Sequence, residues 1–173
     1  MSIAILIARL LLGGSLAAHG AQKLFGWFGG YGPAGTGGFF QTLGFRPGVL
    51  FAVAAGLGEF VGGLLTLLGL GGAIGPAIIV MVMVVAIFAV HISKGFFASN
   101  GGWELPGMNI AAALAIGFAG NGAYSIDSAV GLNIVTDERQ VAYAFVAAVI
   151  LGLLNLLARR APAAQAGGHV GSG

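Results

Sequence analysis

The chain has 173 residues, 58% of them hydrophobic and only 7% charged, with a mean hydropathy of +0.99. Soluble domains carry about 25% charged residues, so this composition excludes a soluble globular protein and points to integral membrane helices. The absence of cysteine excludes disulfides, thiol catalysis and thiolate metal sites within the chain, and a net charge of +2 built from seven basic and five acidic residues gives no footing for nucleic acid.

The 33 glycines suit membrane helices whose backbones approach closely. Disorder is the other reading of high glycine content, and so apolar a chain opposes it. A hydrocarbon core of about 30 Å takes about 20 apolar residues per helix. The first candidate covers residues 3–25. It has small residues of the kind that precede a signal-peptide cleavage point, but Arg9 sits inside the apolar run rather than ahead of it, so a retained helix is predicted. The following loop, GWFGGYGPAGTGGFFQTLGFRPG, is too rich in glycine and aromatics for a plain linker; it lies in the interface or re-enters the protein. A second helix is predicted over residues 49–70 and a third over 73–97. The short link GLGGAIGP between them forces an antiparallel hairpin. A short fourth segment covers 107–120, and a fifth helix covers 140–157. Pro47 and Pro106 mark the starts of the second and fourth. Within GLGEFVGG, Gly58 and Gly62 are four apart and read as a close-packing face.

Charge placement predicts orientation. If five helices cross, the first loop, the third loop and the C-terminus share a side carrying Lys23, Arg46, Lys94, Arg159 and Arg160, while the opposite side carries Arg139. Excess Lys and Arg mark the cytoplasmic side, so the N-terminus is expected outside and the C-terminus in the cytoplasm of a bacterial plasma membrane. Trp27 and Trp103 fall on the same side, as an aromatic belt requires.

Glu59 is a lone carboxylate in an apolar run. Such residues face a protein interior or a watery cavity and take a partner. At 100° per residue, Arg9, His19 and Lys23 share one face of the first helix. At about 1.5 Å per residue, His19 and His91 each lie about 9 Å from the same mouth, Glu59 about 15–18 Å and Arg9 about 24 Å. Arg9 could then snorkel back toward Glu59. A polar column of Arg9, Glu59, His19 and His91 is the expectation. Each member also has a structural reading: an Arg9–Glu59 pair that fixes helix register, and core histidines bonded to carbonyls. A haem or metal held by His19 and His91 is disfavoured, because no carboxylate or thiolate spacing supports it.

The string RLLLGGSLAAHGAQKLFGWFGGYGPAGTGGFFQTLGFRPG resembles the start of DoxX-family membrane proteins. The similarity continues through AAGLGEFVGGLLTLLGL, VHISKGFF and GGWELPGMNIAAALAI to GNGAYSIDSAVG, over about residues 3–132. The combination HGxQKLFGWFGG, GEFxGG and VHxxxGFF carries it. The resemblance implies an all-α, four-helix transmembrane bundle over residues 1–132. Residues 133–158 then form a loop and an appended fifth transmembrane helix, and residues 159–173 a flexible tail. The family name comes from subunits of a terminal-oxidase and thiosulfate:quinone oxidoreductase system; relatives are labelled oxidoreductases, and some are linked to membrane redox complexes with detoxifying enzymes. A likeness to quinone-using thiol oxidoreductases stops at the missing cysteines. Carried over by motif, the positions of interest are His19, Gln22, Lys23, Glu59, His91, Glu104, Tyr124 and Asp127. Asp127 by itself reads as a turn cap.

The functional expectation is an accessory subunit of a membrane redox system, with no catalytic assignment of its own. It would bind a quinone between helices, with His19 or His91 donating to a quinone carbonyl and Glu59 and Lys23 setting local charge or relaying a proton. The expected partners are the bilayer, a redox enzyme and a second copy of the chain. The alternatives are a scaffold whose polar residues only specify packing, and a small transporter or proton pathway. The last is favoured by an intramembrane Arg–Glu pair and weakened by the lack of a second symmetric half.

Overall fold

The computed structural model describes residues 2–160, and within them the fold is all-α. The helices are α1 (Ser2–Phe25), α2 (Gly32–Thr42), α3 (Gly48–Leu68), α4 (Ile74–Ala86), α5 (Glu104–Ala119), α6 (Ile126–Val130) and α7 (Glu138–Leu156). A π-turn, Ile87–His91, and a 3-10 turn, Ile92–Lys94, extend α4. Four rods are long and apolar enough to cross a membrane: α1, α3, α4 with its extension, and α7. The first loop holds a helix of its own, α2, which packs against α1 and α3.

At 16 residues, α5 is about 24 Å long, short of a ~30 Å core. It nevertheless joins both ends of the bundle. Its first residue donates to the Phe96 carbonyl just beyond α4, and Asn121, just beyond its last turn, accepts from Arg9 near the start of α1. The chain therefore traverses the bundle five times, and α1 begins at the end opposite to that where α7 finishes. One end carries Lys23, Arg46, Lys94, Arg159 and Arg160; the other carries Asp127, Asp137, Glu138 and Arg139. Asp137 caps α7, accepting from the Arg139 and Gln140 backbone N–H groups. At the basic end, Arg159 donates to the Leu43 carbonyl and Arg160 N–H to the Gly44 carbonyl. This ties down the first residues of the tail; residues 161–173 lie outside the described ones.

Helices in lipid gain little from excluding water from each other, so close van der Waals packing decides which faces meet. The α1–α3 contact is the most extensive in the fold, and glycines build it. A Cβ on Gly13 would stand 2.6 Å from the Gly63 carbonyl oxygen, one on Gly63 would stand 2.7 Å from the Gly13 carbonyl oxygen, and one on Gly20 would stand 2.7 Å from the Gly56 carbonyl oxygen. Gly13 and Gly20 thus face Gly63 and Gly56 across an antiparallel seam with a seven-residue repeat. Gly58 and Gly62, the pair expected to form the close-packing face, meet α4 instead: a Cβ there would fall 2.6 Å from Val82 Cγ2 and 2.9 Å from Ile78 Cγ2. One helix therefore packs glycines against two neighbours on adjacent faces.

Adding one methyl at the seam forces two backbones apart. Gly63→Ala is expected to cost about 1–3 kcal/mol of stability when unfolding is followed in detergent. Gly38→Ala, in α2 with nothing within 4 Å of the new Cβ, is expected to stay within about 0.5 kcal/mol of wild type. Equal effects of the two substitutions would contradict the seam.

Candidate functional site

The seam register brings Lys23, near the end of α1, alongside Glu59 in the middle of α3. Gly56 makes room for the lysine stem: a Cβ at Gly56 would lie 3.1 Å from Lys23 Cβ. The Lys23 ammonium donates to Glu59 Oε2 in a short, charge-assisted bond, with the carboxylate buried and the lysine partly exposed. Burying a carboxylate unpaired in a bilayer is costly, and the pairing offsets that cost in part.

Both residues line a cavity of about 440 Å³. Phe39 and Phe40 of α2, with Phe45 and Phe51, make an aromatic wall beside Leu43, which follows α2; Ala54 and Ala55 of α3 face residues from Met81 to His91 along α4 and its π-turn; Asn155 comes from α7. The wall of small and branched apolar side chains carries just four polar side chains: Lys23, Glu59, His91 and Asn155. The π-turn is a local widening of the helix that often accompanies functional sites, and it ends on His91. The His91 ring is held from the loop side, where Nδ1 lies 2.6 Å from the Gly101 carbonyl oxygen. A carbonyl only accepts, so Nδ1 carries the proton. Glu104 shapes that loop by accepting from the Ala98 N–H at 2.8 Å, and Trp103 packs edge-on to Phe96.

A second cavity of about 470 Å³ lies between the end of α1 and α2, and it shares Lys23 and Phe39 with the first. Gln22, Tyr31 and Thr36 supply its other polar side chains. His19 lies outside both. It is exposed, pairs through Nδ1 with Gln22 Oε1 at 3.2 Å, and Gln22 in turn donates to the Phe28 carbonyl. The polar column expected from depth alone is therefore corrected: Glu59 and His91 share a cavity, and His19 does not.

Arg9 is corrected more sharply. It does not reach Glu59. Its guanidinium turns toward the other end of the bundle and is 1% exposed. Nε donates to the Thr66 carbonyl at 3.0 Å and Nη2 to Leu67 at 2.9 Å, while Nη1 donates to Asn121 at 2.6 Å and Tyr124 at 2.9 Å. These are the last carbonyls of α3 and those following α5, which need donors once their helices stop. The physical reason is register. Arg9 stands opposite Thr66, and Thr66 is about 10 Å along α3 from Glu59. Gly69, the left-handed residue that ends α3 with φ 63°, completes the fit, since a Cβ there would fall 2.6 Å from Arg9 Nη2.

Asp127 stands beside this clamp. Its two oxygens accept from the Gly71 and Gly72 N–H groups, each at 2.8 Å, and from the Asn121 amide at 2.8 Å. Those N–H groups precede α4, so Asp127 ties the α3–α4 turn to α6. Burial pushes its carboxyl up, but the Gly72 and Gly71 N–H groups, the Asn121 amide and the Arg9 charge outweigh that and hold it below the ordinary carboxylate range. Tyr124 contributes its backbone carbonyl to the clamp, while its side chain is exposed.

Two residues of these sites escaped the sequence reading. Asn155 is the lone amide of an otherwise apolar helix end, LGLLNLL, a signal that could have found it. Asn121 acts through one carbonyl and one amide at a helix end, which no spacing announces.

The DoxX family model matches residues 4–92. The chain belongs to the DoxX family. The matched span runs from α1 through the π-turn, so the DoxX part of the chain holds the glycine seam, Lys23, Glu59 and His91; Glu104, Tyr124, Asp127 and Asn155 follow it. No curated protein and no solved structure matches the chain.

The Asp127 clamp predicts a pH dependence. A carboxyl held below its unfolded value of about 3.9 contributes stability that is fully present above that pH and is lost as pH falls through the folded value. Unfolding midpoints of wild type and Asp127→Asn should differ most above about pH 4 and converge on acidification. A constant difference down to the acid limit would show that the charge of Asp127 does not matter.

Proposed function

We propose that this DoxX-family membrane protein is an accessory subunit of a membrane redox system that binds a quinone or a similarly built amphiphile in the cavity at the basic end of its bundle. The observation that carries the reading is the cavity itself. Small-molecule sites are mostly apolar clefts of about 300–1,000 Å³ with a few convergent polar groups, and here an aromatic and aliphatic wall surrounds Lys23, Glu59, His91 and Asn155. The apolar wall suits a ring and its hydrocarbon chain, and Lys23 and Asn155 can donate to ring oxygens. In this reading the basic end faces the cytoplasm of a bacterial plasma membrane, following the excess of Lys and Arg.

The Arg9–Asp127 clamp favours a second reading for that end alone, as a scaffold whose polar residues specify packing, since its contacts close helix ends and tie the α3–α4 turn to α6. The transporter reading rested on an Arg9–Glu59 pair, and that pair does not form.

Binding of a short-chain quinone to the protein in nanodiscs tests the proposal. Saturable binding is expected for wild type, weakened at least tenfold by Ala54→Trp, which fills the cavity from an exposed position on its rim, with the unfolding midpoint retained. Absence of saturable binding to wild type would contradict it.

A further inference from the structure

If the cavity takes a quinone-class ring, the hydrogen-bonding inventory of its wall bears on which redox form fits. A quinone offers only acceptors, its two carbonyls. The reduced ring offers hydroxyls that both donate and accept. The protein side is unbalanced in a way that separates the two. The Nδ1 proton of His91 is committed to the Gly101 carbonyl, so in the neutral ring the nitrogen left for a ligand is Nε2, which accepts. Glu59 receives Lys23 on Oε2, and no donor among the described residues bonds its Oε1. Lys23 keeps N–H groups beyond the one given to Glu59, and the amide of Asn155, an exposed residue on the cavity wall, can donate or accept.

An oxidised ring could satisfy the donors of Lys23 and Asn155 only. It would set its own lone pairs against His91 Nε2 and Glu59 Oε1 and leave those acceptors unpaired in an apolar cavity. A hydroxyl-bearing ring satisfies both kinds of group, because each hydroxyl can take a bond from Lys23 or Asn155 and give one to His91 or Glu59. Sites built to accept from a ligand hydroxyl discriminate strongly against analogues that lack it. We infer that the cavity selects the reduced, hydroxyl-bearing form of its ligand, a quinol or phenol, over the oxidised ring, with His91 Nε2 and Glu59 Oε1 as the receiving atoms. The expected donation from His91 to a quinone carbonyl is thereby reversed in direction. This inference rests on the proposed binding of a quinone-class ring, and its test separates the two.

The probe is a matched pair without redox chemistry, 4-nonylphenol and its methyl ether 4-nonylanisole, titrated against the wild-type protein in nanodiscs alongside a short-chain quinone. The phenol is expected to bind at least tenfold more tightly than the ether. In His91→Phe the ratio of phenol to ether affinity should shrink toward one. Equal affinities for the pair, or tighter binding of the ether, would overturn the inference even if His91→Phe fails to fold, because the wild-type comparison decides. Saturable quinone binding without phenol binding would sink the inference and leave the proposed function standing. No binding of quinone, phenol or ether would sink both.

Discussion

The close approach of α1 to α3 is the constraint on which the rest of the structure depends. Gly13 and Gly20 against Gly63 and Gly56 let two backbones meet with carbonyl oxygens where side chains would otherwise stand. In lipid, such packing replaces the solvent-driven association available in water. The contact also fixes register, and register decides which polar groups meet. With the seam in place, Lys23 lies beside Gly56 and reaches Glu59, while Arg9 lies opposite Thr66 and Leu67. A shift of one helical turn, about 5.4 Å, would take both away from their partners and leave charges unpaired inside the bundle. Packing and electrostatics thus select the same alignment.

The two polar centres divide the work. At one end, Arg9 and Asp127 satisfy backbone groups that helices leave open: Arg9 the final carbonyls of α3 and those after α5, Asp127 the N–H groups ahead of α4. Orphaned backbone groups are costly in hydrocarbon, and the clamp closes three elements on a single guanidinium and a single carboxylate. At the other end the Lys23–Glu59 pair stands on a cavity wall, where part of its bonding capacity is left open. The last turn of α7 completes that end. Asn155 joins the cavity wall, and Arg159 lies with its guanidinium carbon 5.8 Å from the centroid of Phe45, a buried ring that also lines the cavity.

Much of this was legible in the sequence, for reasons that can be named. Hydropathy located the long helices because each needs an unbroken apolar run, and alternating loops put Lys23, Arg46, Lys94, Arg159 and Arg160 at one end. Glu59 stood out because nothing nearby in the chain could neutralise it. Its partner does not stand out in the same way, because depth alone does not fix how a helix is rotated or how far it slides. Arg9 is held by the final carbonyls of α3 and not by a carboxylate, and backbone carbonyls carry no mark in a sequence. The seven-residue spacing of Gly13 and Gly20, matched by Gly56 and Gly63, held the missing register; the more familiar four-residue pair, Gly58 and Gly62, drew attention to the α4 face. The helix in the first loop was hidden by its glycines, which lower helix propensity, and it is held by packing against α3. The π-turn that ends on His91 has no Gly or Pro in its span, IFAVH, to announce it.

The pairing scheme is the central claim, and a double-mutant cycle tests it most directly. Stability in detergent would be measured for Lys23→Met, Glu59→Gln and the double variant, and in parallel for Arg9→Lys with Glu59→Gln. Coupling above about 1 kcal/mol is expected between positions 23 and 59, as for groups in contact, with additivity within about 0.5 kcal/mol between positions 9 and 59. Strong coupling between 9 and 59, with none between 23 and 59, would contradict the register and the cavity built on it.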